Sequence, residues 1–79
     1  MIDPRILELA RAHLTDNQLA VFTLWHRDPP MSQRAIALHL GLARSTIVDR
    51  YDAACLRLHR VGVTFTPDGH PHLEETTAA

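Results

Sequence analysis

The sequence predicts an all-α domain of about four helices, with a short C-terminal β-hairpin and a coil both left open for its last stretch. Three observations point there. Helix-capping signals stand at Asp3-Pro4, at Thr15-Asp16-Asn17-Gln18 and at Ser32, each ahead of apolar residues recurring at three- and four-residue steps. Helix breakers follow at Pro29-Pro30, Gly41 and Gly62. The chain has 79 residues, of which 46% are hydrophobic and 22% charged, enough for one small domain and no more. That domain is expected over residues 1–73, with the polar residues 74–79 as a disordered tail.

The first helix starts at Pro4, a residue suited to the first turn, with Asp3 as its N-cap and an apolar face of Ile6, Leu7, Leu9, Ala10 and Leu14. Thr15 to Gln18 reads as a capping box, and Leu14 and Leu19 are spaced to form the hydrophobic staple around it. The second helix then carries Leu19, Val21, Phe22, Leu24 and Trp25 and ends before Pro29-Pro30. Ser32 caps a short third helix that stops at Gly41. A fourth runs from about Arg44 to Arg60, with Ile47, Tyr51, Ala54 and Leu58 on one stripe. Phe22, Trp25, Ile36, Leu40, Ile47 and Tyr51 are expected to share one core. Beyond Gly62, Val63 to Thr66 alternates like a strand, Pro67-Asp68-Gly69 is a turn signal, and His70 to Leu73 offers a return strand.

Composition also excludes. No apolar run approaches the roughly 20 residues needed to span a bilayer, and no basic-then-apolar leader opens the chain. A soluble protein of a reducing compartment, the cytoplasm, is expected. The single cysteine, Cys55, makes neither an internal disulfide nor a cysteine-rich zinc site, and beside the buried stripe it reads as a small apolar residue. Six histidines tempt a metal reading, but His70-Pro71-His72 with His59 lacks the third and fourth ligands of a known spacing. No nucleophile–base pair, carboxylate pair or glycine-rich phosphate loop stands out. The expectation is a binding module without cofactor, metal or catalysis.

Charge is unevenly placed. Residues 1–31 carry three arginines against four acidic residues, residues 32–60 five arginines against two aspartates, and residues 61–79 three acidic residues and no cation. The middle is the only basic segment of a chain whose net charge is −1. All its cations are arginines, whose planar fork suits phosphate and guanine edges.

Within that segment lie two helices joined through a glycine, the second longer and fronted by Arg44-Ser45-Thr46: the layout of a helix-turn-helix. Ala37 is small enough for a close crossing, Gly41 accepts the positive φ of a tight turn, and Leu42 plugs the gap. Leu14-Thr15-Asp16-Asn17-Gln18, Ile36-Ala37 with Leu40-Gly41-Leu42, Arg44-Ser45-Thr46-Ile47 and the trailing Leu56-Arg57-Leu58 together resemble the promoter-reading C-terminal domain, region 4, of bacterial sigma factors and related helix-turn-helix domains. The resemblance spans residues 14–60. It departs at Ala43, where the family has a capping Ser or Thr; alanine there is poorer by about 1 kcal/mol, and Ser45 is an alternative cap two residues on. The polymerase-binding and promoter-melting domains of sigma factors have no room in this chain.

The resemblance implies a recognition helix over 44–60 lying in the major groove. Arg44 sits at the positive end of a helix dipole, a poor place for a cation, so a phosphate or base edge explains it better than folding does. Ser45, Thr46 and Asp49, with Arg50 beside them, are the candidate base readers: arginine for guanine, aspartate for cytosine N4. Gln33 and Arg34 open the preceding helix, where backbone and side chain clamp a phosphate. Arg57 extends the basic stripe toward flanking phosphates, though it equally suits a helix C-terminus. Leu56 falls opposite the buried stripe, and a homodimer interface built from Leu56 with Val63 and Phe65 is expected, intrachain cover by the C-terminal segment being the other possibility.

Two functions follow. One is sequence-specific binding of double-stranded DNA by a stand-alone repressor or activator of viral or mobile-element type. The other is a protein-interaction module of the same fold that binds RNA polymerase or another regulator, suggested by the net charge and by Asp49 and Asp52 near the reading face.

Overall fold

The computed structural model describes residues 2–73. Four helices, α1 (Pro4–His13), α2 (Asp16–Trp25), α3 (Gln33–Leu40) and α4 (Arg44–His59), are followed by strands β1 (Val63–Phe65) and β2 (Pro71–Leu73). The strands form an antiparallel hairpin with Val63 opposite Leu73, Thr64 opposite His72 and Phe65 opposite Pro71. The domain is therefore mostly helical, and of the two possibilities left open for the C-terminal stretch it adopts the hairpin. The tail expected over 74–79 lies outside the described residues.

Local chemistry sets the helix starts. The Asp3 carboxylate accepts from the Arg5 backbone N–H at 2.9 Å and pairs with the Arg5 guanidinium at 2.8 Å, which together hold its pKa below the ordinary value. Thr15 and Gln18 make the reciprocal capping box, both bonds at 3.2 Å. The Ser32 hydroxyl accepts from the Ala35 N–H at 3.1 Å. Helix α3 ends at Gly41, left-handed at φ 68° and ψ 35°, with the Gly41 and Leu42 N–H groups both donating to the Ala37 carbonyl.

The single core expected from the sequence is two clusters. The first holds Ile6, Ala10, Leu14, Phe22, Ala54, Leu58 and Val63; the second holds Val21, Ile36, Ala37 and Ile47, with Trp25, Leu40 and Leu42 packed around it. The division follows from helical geometry. Val21 and Phe22 are neighbours on α2 and point about 100° apart, one toward α3 and the start of α4, the other toward α1 and the end of α4. Only Tyr51 packs against both clusters among the residues expected in the core.

The C-terminal stretch differs from expectation in two ways. Val63 is fully buried and is not free to form a dimer interface, and Phe65 is half-buried against the same cluster. Nor do they cover Leu56, which is 55% exposed. The strand alternates sides, and Val63 turns inward toward α1 and α4.

A Cβ built at Gly41 meets nothing within 4 Å, so a side chain there costs backbone energy alone. Gly41→Ala is expected to lose about 1–2 kcal/mol and Gly41→Val more, since a β-branched residue fits φ above zero worst. Thermal midpoints should fall in the order wild type, alanine, valine. An unchanged midpoint for valine would contradict the turn.

Candidate nucleic-acid interface

The joint between α3 and α4 brings several of the expected residues together. Arg44 Nη2 donates to Gln33 Oε1 at 3.3 Å, tying the first residue of one helix to the first of the other across the Gly41 turn. Arg34 and Ser45 are exposed beside them, as is Arg44 itself. Helix α4 starts at Arg44 with Ala43 as N-cap and no side-chain capping bond. The helix starts at Arg44 as expected, and the alternative cap at Ser45 is not used: Ser45 lies inside the helix. The first N–H groups of α4 get no capping side chain, at the end where the helix dipole is positive.

The remaining candidates divide by their angle on α4. With about 100° per residue and Ile47 facing the core, Ser45 and Asp49 fall within roughly 20° of the outermost direction, whereas Thr46 and Arg50 lie on one flank. Asp49 is exposed, and Thr46 and Arg50 are half-buried. Arg50 borders a shallow hollow of about 280 Å³ with Asn17 and Ala20 of α2 and with Leu40 and Leu42. The four candidates on α4 thus do not share one face, and Asp49 is joined outermost by Asp52, a second exposed carboxylate.

Arg57, for which a phosphate contact was expected, makes an intrachain contact. Its Nη1 donates to the His13 carbonyl at 2.9 Å, closing the end of α1 against α4. It also lies roughly 20 Å along the helix from Arg44. At the C-terminus of α1 the guanidinium meets an unpaired carbonyl and a favourable dipole.

Two features were absent from the sequence reading. Leu38 is 79% exposed on α3, one turn beyond Arg34 and on the same outward side. Helical spacing from Ile36 was a sufficient signal, since two residues is about 200°. The second is an aromatic cluster around Tyr51. Its ring stacks on Trp25 with centroids 3.8 Å apart and planes at 10°, and Phe22 lies 6.2 Å away on nearly parallel planes. Burial raises the Tyr51 ionisation far above the ordinary range, so its hydroxyl keeps the proton, and the hydroxyl is hydrogen-bonded to His26 Nε2. Burial, with the charge of His70 nearby, pushes His26 down to about 4. The Cys55 thiol, also raised by burial, to about 11, is no thiolate at neutral pH. A hollow of about 550 Å³ opens above this cluster, between the α2–α3 connection and the hairpin turn at Pro67–His70. Among the described residues no group of three His, Cys, Asp or Glu side chains is placed to hold a metal ion, and no helix is long and apolar enough to cross a membrane.

Neither known protein-family models, nor curated proteins, nor solved structures provide a match to this chain.

The state of His26 has a consequence for stability. Its folded pKa lies below the unfolded value near 6.5, so the unfolded chain binds the extra proton between about 6.5 and 4. The stability that His26 contributes is complete above that window and is lost as pH falls through it. Comparing thermal midpoints of the wild type and His26→Gln from pH 7 to 4 isolates this part, which the variant should lack. Parallel curves would show that His26 is not held neutral.

Proposed function

We propose that this chain is a small helix-turn-helix regulator that binds double-stranded DNA sequence-specifically, with the first turns of α4 in the major groove and the start of α3 against the phosphate backbone. The observation that carries the reading is the α3–Gly41–α4 joint, where an exposed, uncapped helix start is flanked by Arg34, Arg44 and Ser45 and braced by the Arg44–Gln33 bond. The resemblance of residues 14–60 to sigma region 4 supports the same assignment. Arg44 and Ser45 are the leading candidates for base edges, with Asp49 as an acceptor for cytosine N4. Arg50 and Thr46 reach the groove from the flank, and Gln33 and Arg34 hold phosphate. The chain works without catalysis or cofactor, as a cytoplasmic protein.

A second reading, a module that binds RNA polymerase or another regulator, is favoured by exposed Leu38 on α3 and by Asp49 and Asp52 on the outward side of α4.

Selection from a randomised duplex pool at physiological salt separates the two. The DNA reading expects an enriched motif and an affinity that falls with salt at a slope of about 0.9 per neutralised phosphate. Arg44→Ala should cost roughly 1–3 kcal/mol on the preferred site and relax its sequence preference, whereas Arg34→Ala should weaken all duplexes alike and lower the slope by about one. No enriched motif and no salt slope would leave the protein-binding reading standing alone.

A further inference from the structure

The outward face of α4 beyond Asp49 is built from few residues. Asp52, Leu56 and Arg60 follow one another at four-residue steps and lie within about 40° of a common direction, opposite the buried stripe. All three are exposed, Leu56 to 55%. Arg60 continues the helical path as the C-cap, at φ −65° and ψ −20°. Neither Asp52 nor Arg60 makes a side-chain hydrogen bond or ion pair with another described residue. The hairpin, the nearest element in sequence, turns its apolar side chains inward and leaves Leu56 bare.

This arrangement has a symmetry of its own. The carboxylate stands about 6 Å to one side of Leu56 along the axis and the guanidinium about 6 Å to the other. No intrachain pairing of the two is possible, because roughly 12 Å of helix separates them. A second α4 laid antiparallel across the first, centred on Leu56, brings Asp52 of each copy level with Arg60 of the other and sets leucine on leucine. Ala53 and His59 then come level at the edge of the contact, where the small alanine lets the helices approach closely. A two-fold contact requires a surface complementary to itself, and opposite charges spaced equally about an apolar centre meet that requirement.

We propose that this face is a homodimer contact, with α4 packed antiparallel on α4 of a second copy about a two-fold axis at Leu56, and with two Asp52–Arg60 pairs across it. The proposal does not rest on DNA binding, since its residues are distinct from Gln33, Arg34, Arg44 and Ser45. Here Asp52 and Arg60 take the place that Val63 and Phe65 were expected to fill. The occupant is a second copy rather than an unrelated basic protein because the same face supplies both signs of charge.

Charge exchange tests the register. Sedimentation equilibrium should show the wild type dimerising in the micromolar range. Asp52→Arg alone sets arginine against Arg60, and Arg60→Asp alone sets carboxylate against Asp52. Each should weaken association about tenfold or more, and the double exchange should return it to within about threefold of wild type. In a second measurement, Leu56→Cys in a Cys55→Ser background should oxidise to a disulfide-linked dimer, because position 56 meets itself on the axis. All the exchanged side chains are exposed, and helical circular dichroism should be unaltered. A wild type that stays monomeric at several hundred micromolar overturns the proposal. So do single exchanges without effect, a double exchange that fails to restore association, and a Leu56→Cys protein that remains reduced.

Discussion

Tyr51 is the contact on which the two halves of this small domain depend. It reaches both apolar clusters from the middle of α4, lies flat on Trp25, and shares a hydrogen bond with His26 at the end of α2. Each cluster alone is small. The first joins α1, α2, the end of α4 and β1; the second joins α2, α3 and the start of α4. In so short a chain neither cluster buries enough apolar surface to hold its helices unaided, so a residue shared between them couples their stabilities. A tyrosine suits the position because its ring supplies apolar area while its hydroxyl finds a partner at the edge.

The same contact fixes the rotation of α4. With Ile47, Tyr51, Ala54 and Leu58 turned inward, Ser45, Asp49, Asp52 and Leu56 are turned out. The helix thereby offers three regions with different chemistry: a buried stripe, an uncapped N-terminal end beside Arg34 and Gln33, and an outward C-terminal half with its own charge pattern. A two-fold pair of such domains would present two copies of that N-terminal end, the way helix-turn-helix regulators engage paired half-sites.

Most of the local structure was legible in the sequence, because its causes are local. The capping box at Thr15–Gln18, the Ser32 cap, the left-handed Gly41 and the Ile47–Tyr51–Ala54–Leu58 stripe each depend on residues within a few positions of one another. What escaped depends on pairings across the chain. Arg57 meets a carbonyl 44 residues away, and His26 meets a hydroxyl 25 residues away. No pattern within either helix announces such partners. The division of the core escaped for a related reason: Val21 and Phe22 are both apolar, and only the placement of α1 and α3 assigns them to different sides. Val63 looked available for assembly until the hairpin turned it inward. At the candidate site, the joint at Gly41 was legible from its glycine and its flanking helices, whereas the half-burial of Arg50 beside Asn17 and Ala20 of α2 was not.

The most direct test of the account is where DNA touches the folded protein. Amide shift mapping on the isotope-labelled chain, with duplex DNA added at about physiological salt, reports this residue by residue. Perturbations should concentrate at Gln33, Arg34, Arg44, Ser45 and Thr46, on both sides of the Gly41 turn. Shifts centred on Trp25, His26 and the hairpin turn, or no shifts at the joint under saturating DNA, would contradict it.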